Sequence, residues 1–597
     1  MTVPVSTKSD VDNVPVWDLS DLYQNLSDPK IEQDLARIAA NAERFQKNHH
    51  GQVNGLTSQQ FAKAIQTYET ISDDMGRVFA YGQLLQAGNV TDAEIGRFYQ
   101  GIQERVTTVS TSVLFFTLEI GRLADDVVGD LLNDPDVAHF KSWIDGVRLY
   151  KNHQLSDDIE ALLQEKALTG RAAFIRLFDE TMATMQFQME GEKDALNLSG
   201  VLNFLSHSDK SKRQSAARAL AGGLETEQRV LTQITNTLTK DKQIDDKWRK
   251  YASPLSSRNL ANRVEDKVVD ALVSSVKSQY GDLSHRYYAM KAKWFGVEKL
   301  DYWDRNAPLP DDLDRTYNWH DAKKIVLDAY ANFAPEMADI AEQFFVKNWI
   351  DADLRPGKNS GAFSHPVVAS THPYILMNFH GKSRDVMTLA HELGHGVHQM
   401  LARSQGTLMS DTPLTLAETA SVFGEMLTFK SLLNNEQDPA RKRILLAGKV
   451  EDMMNTVVRQ IAFHEFEAGV HKARLTAELS TAEIGDIWMR TQSESLGDSI
   501  QLYPEYQSFW GYVPHFIHSP FYVYAYAFGD CLVNSLYDVY DKGHNGFEDK
   551  YFTMLKSGGT LGHKDLLKPF DLDATDPKFW GRGLSVISSF IDDLESA

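Results

Sequence analysis

The chain has 597 residues, 42% hydrophobic and 24% charged, an ordinary balance for a globular protein and enough length for more than one structural unit. Its 82 acidic residues against 61 basic ones give a net charge of −21, which argues against a nucleic-acid partner or an anionic membrane surface. A single cysteine, Cys531, excludes an intramolecular disulfide and fits a reducing compartment. With no basic-then-apolar start and no apolar run of about 18 residues, a cytoplasmic location and no membrane span are expected.

Residues 1–25 read as an extended lead-in. Ser27-Asp28-Pro29 marks a helix start, with an acid to cap and a proline at the first position. Amphipathic helical patterns then run to about Asp179. Thr184-Met185-Gln186-Phe187-Gln188-Met189 alternates polar and apolar and is followed by Glu190-Gly191-Glu192-Lys193, which predicts a strand and turn. A domain boundary is set near residue 195, giving an N-terminal helical domain, 1–195, and a catalytic domain, 196–597.

Helices resume at about Ser211 and dominate through Val346. Pro356, Gly357, Gly361, Pro366 and Pro373 then break the pattern, and Tyr374–Phe379 predicts a strand. Its edge is expected to pair with the backbone of a bound peptide. Gly357-Lys358 is not a phosphate loop, because Ala352 and Asn359 stand where that pattern needs Gly and Ser or Thr. The C-terminal part, 437–597, is again helical, with glycine-rich breaks at 557–562.

The most informative stretch is His391-Glu392-Leu393-Gly394-His395. The residues before it, from Ser383, lack Gly and Pro and predict a helix capped by Ser383 or Asp385. Two histidines four apart on one helix face can grip one metal ion, and the glutamate between them stands beside that metal as a general base. Gly394 and Gly396 each cost a helix about 1 kcal/mol relative to Ala, which close approach of a neighbouring helix would explain.

A hydrolytic zinc site needs a third protein ligand. His398 lies about 10 Å along the same helix from His391 and is a poor candidate. The elongated metzincin pattern fails, since His398 and Leu401 occupy the positions of its Gly and third His. Asp411-Thr412-Pro413 predicts another helix start, with Thr412 as cap, and a helix from Leu414 to about Leu433. It carries Glu418, Ser421 and Glu425 on one face. Glu418 lies among small and apolar residues, where a carboxylate is costly unless paired or metal-bound, so it is the better ligand candidate. Glu425 suits a hydrogen bond to the free ring nitrogen of a ligand histidine. The competing reading is an ordinary solvated face with two acids.

Further on, Ser519-Pro520 predicts a helix start. That puts His515 and His518 in a loop and Tyr522, Tyr524 and Tyr526 in the first turns. A tyrosine-rich run is commonly core, but two histidines beside phenols point towards a site.

The order and spacing of several motifs resemble the oligoendopeptidase F family of zinc metallopeptidases, relatives of thimet oligopeptidase. The motifs are Trp17-Asp18-Leu19-Ser20-Asp21-Leu22-Tyr23, Gly357–Phe363, His372–Phe379, His391–His398, Ala417-Glu418-Thr419-Ala420-Ser421, Pro514-His515-Phe516 and Phe521–Tyr526. The likeness covers nearly the whole chain. It implies one zinc ion per chain, held by His391, His395 and Glu418, with Glu392 as base. It also implies a mainly α, two-part fold around a deep substrate channel, with a small β-sheet beside the zinc helix. By the same resemblance His515 and Tyr522 or Tyr524 are expected to donate to the oxyanion or substrate carbonyl, and Tyr526 to pack. One departure is Tyr526-Ala527-Phe528-Gly529, where the family often has Tyr-Ala-Thr-Gly, which bears on subsite shape.

The expected function is hydrolysis of internal peptide bonds in short, unstructured oligopeptides by a Glu-activated zinc-bound water. The alternatives are a zinc carboxypeptidase or dipeptidase on the same scaffold, or an inactive peptide-binding protein.

Overall fold

The computed structural model describes residues 14–167, 169–309 and 316–596. Most of the early lead-in therefore lies outside the described residues. The chain folds into two compact units, each assembled from three stretches. Unit 1 comprises 1–151, 314–435 and 539–571, and unit 2 comprises 152–313, 436–538 and 572–597. The boundary expected near residue 195 falls within the first stretch of unit 2. The fold is mainly α, as expected, with two small sheets among the described residues.

Unit 1 begins with long helices at Pro29–His49, Ser58–Gly88 and Ala93–Arg122, which pack on one another. The first starts where the sequence predicts. Asp28 accepts from the Lys30 N–H at 2.9 Å, and Pro29 supplies the fixed φ of the first turn. The second carries a capping box, in which Thr57 and Gln60 satisfy each other's backbone N–H groups.

The helix-breaking stretch of unit 1 forms a three-stranded sheet. Tyr374–Leu376 lies at its centre, parallel to Ile350–Asp351 and antiparallel to Phe363–His365. This corrects the expectation that Tyr374–Phe379 offers an edge to a peptide: both edges of the regular strand are taken, and Tyr374, Ile375 and Leu376 are wholly buried. Phe363–His365, half-buried, is the outer strand on that side. Lys358, the residue of the rejected phosphate loop, braces the sheet. Its ammonium pairs with buried Asp351 at 2.8 Å and donates to the carbonyls of Asp353 and Met377.

The helix Ser383–Ala402 packs on Trp319–Phe333, Pro335–Val346 and Ser421–Asn435. Lys382, not Ser383, holds its cap position. Asp385 in the first turn accepts from the Lys382 and His380 N–H groups at 2.9 and 2.8 Å. Leu389, Leu393 and Val397 form its apolar stripe into the core.

Unit 2 is organised on a 39-residue helix, Lys210–Trp248, which packs against Arg171–Thr184 and the 3₁₀ segment Pro504–Tyr512. Buried Arg213 on this helix forks onto buried Asp304 at 2.7 and 3.1 Å. The predicted strand at 184–189 contracts to a single bridge in which Phe187 and Leu196 exchange backbone hydrogen bonds of 2.8 and 2.9 Å. The Phe187 ring fills the space above Gly223 on the long helix.

Candidate metal centre

Within unit 1, His391 and His395 project from one face of the helix Ser383–Ala402, as the four-residue spacing requires. Their rings lie 4.9 Å apart at 82°. The third member, Glu418, comes from the chain after the helix, but not from the continuous helix predicted. Leu414–Ala417 makes one turn, capped by Pro413 rather than Thr412, and a second helix runs Ser421–Asn435. Glu418 sits at the break. Two interactions hold the break open: Thr419 Oγ1 donates to the Leu416 carbonyl at 2.6 Å, and the Tyr551 hydroxyl donates to the Thr419 carbonyl at 2.9 Å.

The glycines of the motif have definite neighbours. A Cβ on Gly394 would stand 2.4 Å from the Ala420 carbonyl oxygen and 2.6 Å from Ser421 Cα. A Cβ on Gly396 would stand 2.6 Å from the Phe344 ring. The close approach inferred from the sequence is thus present, and it seats the Glu418 segment against the histidine helix.

Glu418 Oε2 lies 3.4 Å from His391 Nε2 and 3.6 Å from His395 Nε2. Two nitrogens and an oxygen bound tetrahedrally to zinc at about 2.0–2.1 Å would be about 3.3–3.4 Å apart, so the donor set fits that ion. Among the described residues these three are the only such group of metal-capable side chains. The side chains of His391, His395 and Glu418 remain 27%, 20% and 27% exposed, which leaves an approach for a fourth ligand.

Outer contacts orient the three. His391 Nδ1 lies 3.3 Å from Glu425 Oε2, in the supporting position expected for Glu425. Ser421 Oγ donates to Glu418 Oε2 at 2.6 Å. His395 and His398 both hydrogen-bond to the Ala417 backbone. His398 is buried and belongs to this packing, not to the group of three.

The electrostatics are those of a cation site. Burial opposes charge on His391, but the Glu425 hydrogen bond and the charges of Glu418, Glu392 and Glu425 outweigh it and raise His391 to about 9. Burial and the charge of His391 push His395 down to about 4. Burial would raise Glu418, yet the two histidines and the Ser421 hydroxyl hold it below the usual carboxylate value. Three carboxylates around two imidazoles attract positive charge whether it arrives as a proton or as a metal ion.

Glu392 lies beside this group and is buried. Burial, reinforced by the charge of Glu418, raises its carboxyl to about 7 against the opposing influence of His391. The Ser364 backbone N–H donates to it. Ser364 belongs to the outer strand Phe363–His365 and is itself locked to the helix. Its hydroxyl donates to Gln399 Oε1 at 2.8 Å, and Gln399 Nε2 donates to its carbonyl at 3.1 Å. Ser364 and Gln399 carried no sequence signal, because a bond between an edge strand and a helix 35 residues away follows no local period.

The aromatic tract lies in unit 2 and departs from expectation in detail. His515–His518 forms a helical turn rather than a loop, Tyr522 lies in the link that follows, and the next helix begins at Tyr524. His515, Tyr522 and Tyr526 gather into one half-buried group. The His515 and Tyr522 rings stack at 5.9 Å, Tyr522 and Tyr526 meet edge-on at 5.2 Å, and His515 Nε2 lies 3.3 Å from the Tyr526 hydroxyl. Burial and nearby His518 lower the His515 pKa. Tyr524 stands apart from them. It is wholly buried, and its hydroxyl donates to Asn259 Oδ1 and accepts from Asn262 Nδ2, both at 2.8 Å. His518 is engaged by Asp179 at 2.7 Å.

A helix-borne His-Glu-x-x-His with a glutamate from the following segment, in a mainly helical chain, is an arrangement that could hold a metal ion beside a general base. Comparison with known proteins agrees at the level of the family: residues 203–586 match the model of Peptidase family M3, and the chain belongs to that family. Residues 119–187 match a second model, described as Oligopeptidase F. Among relatives, Oligopeptidase PepF of Bacillus subtilis is 26% identical over 547 residues, covering 89% of this chain and 80% of its own. An oligoendopeptidase F homolog of Lactococcus lactis is 24% identical, covering 97% and 96%. Among solved structures, oligoendopeptidase-F from Enterococcus faecium superposes with a TM-score of 0.72 at 21% identity, over 95% of this chain and 98% of that one. PZ peptidase A, solved with an inhibitor, gives 0.73 at 16% identity, over 95% and 98%. These two likenesses show the shared fold.

Proposed function

We propose that this family M3 peptidase is a zinc-dependent endopeptidase that cleaves internal bonds of short, unstructured oligopeptides. The observation that carries the reading is the trio His391, His395 and Glu418, at separations that suit a tetrahedral ion, with buried Glu392 alongside. The names of the relatives support the oligopeptide substrate. A zinc ion held there would act as a Lewis acid on the scissile carbonyl and make water a better nucleophile at neutral pH.

The protein residues do the rest. Glu392, lifted to about 7 by burial, is poised to take a proton from the attacking water and return it to the leaving amine. The Ser364 N–H fixes that carboxylate and so favours one orientation for transfer. Glu425 holds the His391 ring through Nδ1, leaving Nε2 for the metal. We assign donation to the developing oxyanion to His515 and Tyr522. Both are half-buried in one ring cluster, whereas Tyr524 is wholly buried. Tyr526, through His515, joins the same group. A cytoplasmic location belongs to the same reading and is supported by the single, buried cysteine.

The test is hydrolysis of an internally quenched peptide blocked at both ends, by protein of known metal content, with Glu392→Gln alongside. Metal-dependent cleavage is expected, and the variant should keep its metal while losing roughly 10²–10⁴-fold in rate. Failure to cut the blocked peptide, with release of residues from a free-ended one, would overturn the endopeptidase reading in favour of an exopeptidase.

A further inference from the structure

Among the described residues of unit 2, two arginines lie near each other with no acid paired to either. Arg305 follows the 3₁₀ turn Tyr302–Asp304, and Arg459 begins the helix Arg459–Arg474. Burial opposes the charge on both; Arg305 further opposes that on Arg459, which is lowered, while the same three phenols, Tyr288, Tyr506 and Tyr512, favour the charged forms and leave Arg305 raised. Arg305 also hydrogen-bonds to Tyr506, and Arg459 Nη2 donates to the Tyr512 hydroxyl at 3.3 Å. The Nε atoms of both arginines are shut off from solvent and have no hydrogen-bond partner.

Two of the nearby carboxylates are engaged elsewhere. Glu451, which is felt by Tyr288, is paired with the wholly buried Lys291 and accepts from the Tyr287 hydroxyl at 2.6 Å. Asp304, next in sequence to Arg305, is forked by Arg213 and reached by Lys210. Around Tyr506 the shortage is of acceptors. Gln492 Oε1 takes the Tyr506 hydroxyl at 3.4 Å, while its buried Nε2 has no partner. Two desolvated cations within electrostatic reach of each other, each with an unfilled donor, favour an anion beside them, and the planar fork of a guanidinium matches a carboxylate best. Arg305, Arg459 and Tyr512 are each half-buried as residues.

We propose that Arg305 and Arg459, with the hydroxyl of Tyr512, form a binding site for a carboxylate. Two sources share that chemistry: the C-terminal carboxylate of a peptide substrate, or a free carboxylate ion that acts as a cofactor anion. The first source rests on the peptidase reading, and the second does not.

The experiment has two arms on the full-length protein. In the first, the melting temperature is followed against sodium acetate at constant ionic strength, with sodium perchlorate as balancing salt, for the parent, Arg305→Gln, Arg459→Gln and the milder Arg459→Lys. In the second, KM is compared for one quenched peptide carrying a free or an amidated C-terminus. If the anion is the substrate's, amidation should raise the parent KM about tenfold or more, and the Gln variants should abolish that difference. If it is a free ion, acetate should raise the parent melting temperature, saturably and far less in the variants, with amidation neutral. A parent indifferent both to acetate and to amidation would overturn the site, as would variants that respond to both as the parent does. Absence of any hydrolysis would overturn the peptidase reading alone, since the melting arm reads the site without catalysis. The parent's acetate response also decides the matter if a Gln variant fails to fold.

Discussion

The backbone N–H of Phe521 donates to buried Glu467 at 2.8 Å, and so ties a left-handed residue of the aromatic tract to a helix 54 positions earlier. Phe521 has φ of +58°, a strained value for a residue with a Cβ. The adjacent Pro520 carbonyl accepts from Arg258 Nε at 3.2 Å, and the Arg258 guanidinium sits 5.9 Å from the centre of the Tyr522 ring. The turn that sets Tyr522 is therefore pinned on both sides.

Burial raises the Glu467 carboxyl to about 8, against the lowering effects of the Phe521 N–H, Arg258 and Lys242. The folded state then binds a proton that the unfolded chain has released above about 4.5. Stability from this group is full at acid pH, falls as pH rises through 4.5–8, and levels off above that window. Denaturant titrations at pH 5 and pH 8 should show this decline, and Glu467→Gln should flatten it. Glu467→Leu strands the Phe521 N–H and should cost about 1–3 kcal/mol. An unchanged pH slope in the Gln variant would show that Glu467 is ionised in the folded protein.

Gly394→Ala gains about 1 kcal/mol of helix propensity but places a Cβ 2.4 Å from the Ala420 carbonyl and 2.6 Å from Ser421 Cα. Both contacts are backbone and cannot swing aside. A net destabilisation of about 1–3 kcal/mol is expected, with weaker zinc binding because Glu418 rides on the displaced segment. Equilibrium denaturation and competition with a chelator measure the two effects. Ala at 394 with unaltered metal affinity would separate the glycine from the placement of Glu418.

Glu425 touches His391 Nδ1 at 3.3 Å and is not among the three metal-capable side chains. Glu425→Ala should therefore lower zinc affinity about 10–100-fold without abolishing binding, whereas Glu418→Ala should abolish it. His398→Ala should leave metal content intact. Metal analysis after dialysis against graded chelator distinguishes the three.

The two tyrosines proposed from the sequence should separate cleanly. Tyr524→Phe leaves Asn259 and Asn262 without their shared buried partner and should cost about 1–3 kcal/mol of stability while kcat stays within about twofold. Tyr522→Phe should lower kcat by about 10²-fold. Steady-state kinetics and thermal unfolding of both variants make the comparison. The reverse pattern would return the donor role to Tyr524.

Local spacing was enough to read the mainly helical character of this chain, the pairing of His391 with His395, the place of Glu392 between them and the crowding around Gly394. A helix brings residues four apart onto one face whatever surrounds it, and an acid such as Glu418 among apolar neighbours announces that something must neutralise it. Tertiary structure decided the rest. Tyr551 and Thr419 interrupt the helix at Glu418, strands on both sides turn Tyr374–Leu376 into a central strand, and Asn259 and Asn262 claim the Tyr524 hydroxyl from more than 250 positions away. Arg305 and Arg459 likewise come within electrostatic reach of each other only in the folded unit. Each of these outcomes depends on partners that carry no period relative to the residue they govern, so only the folded chain sets them.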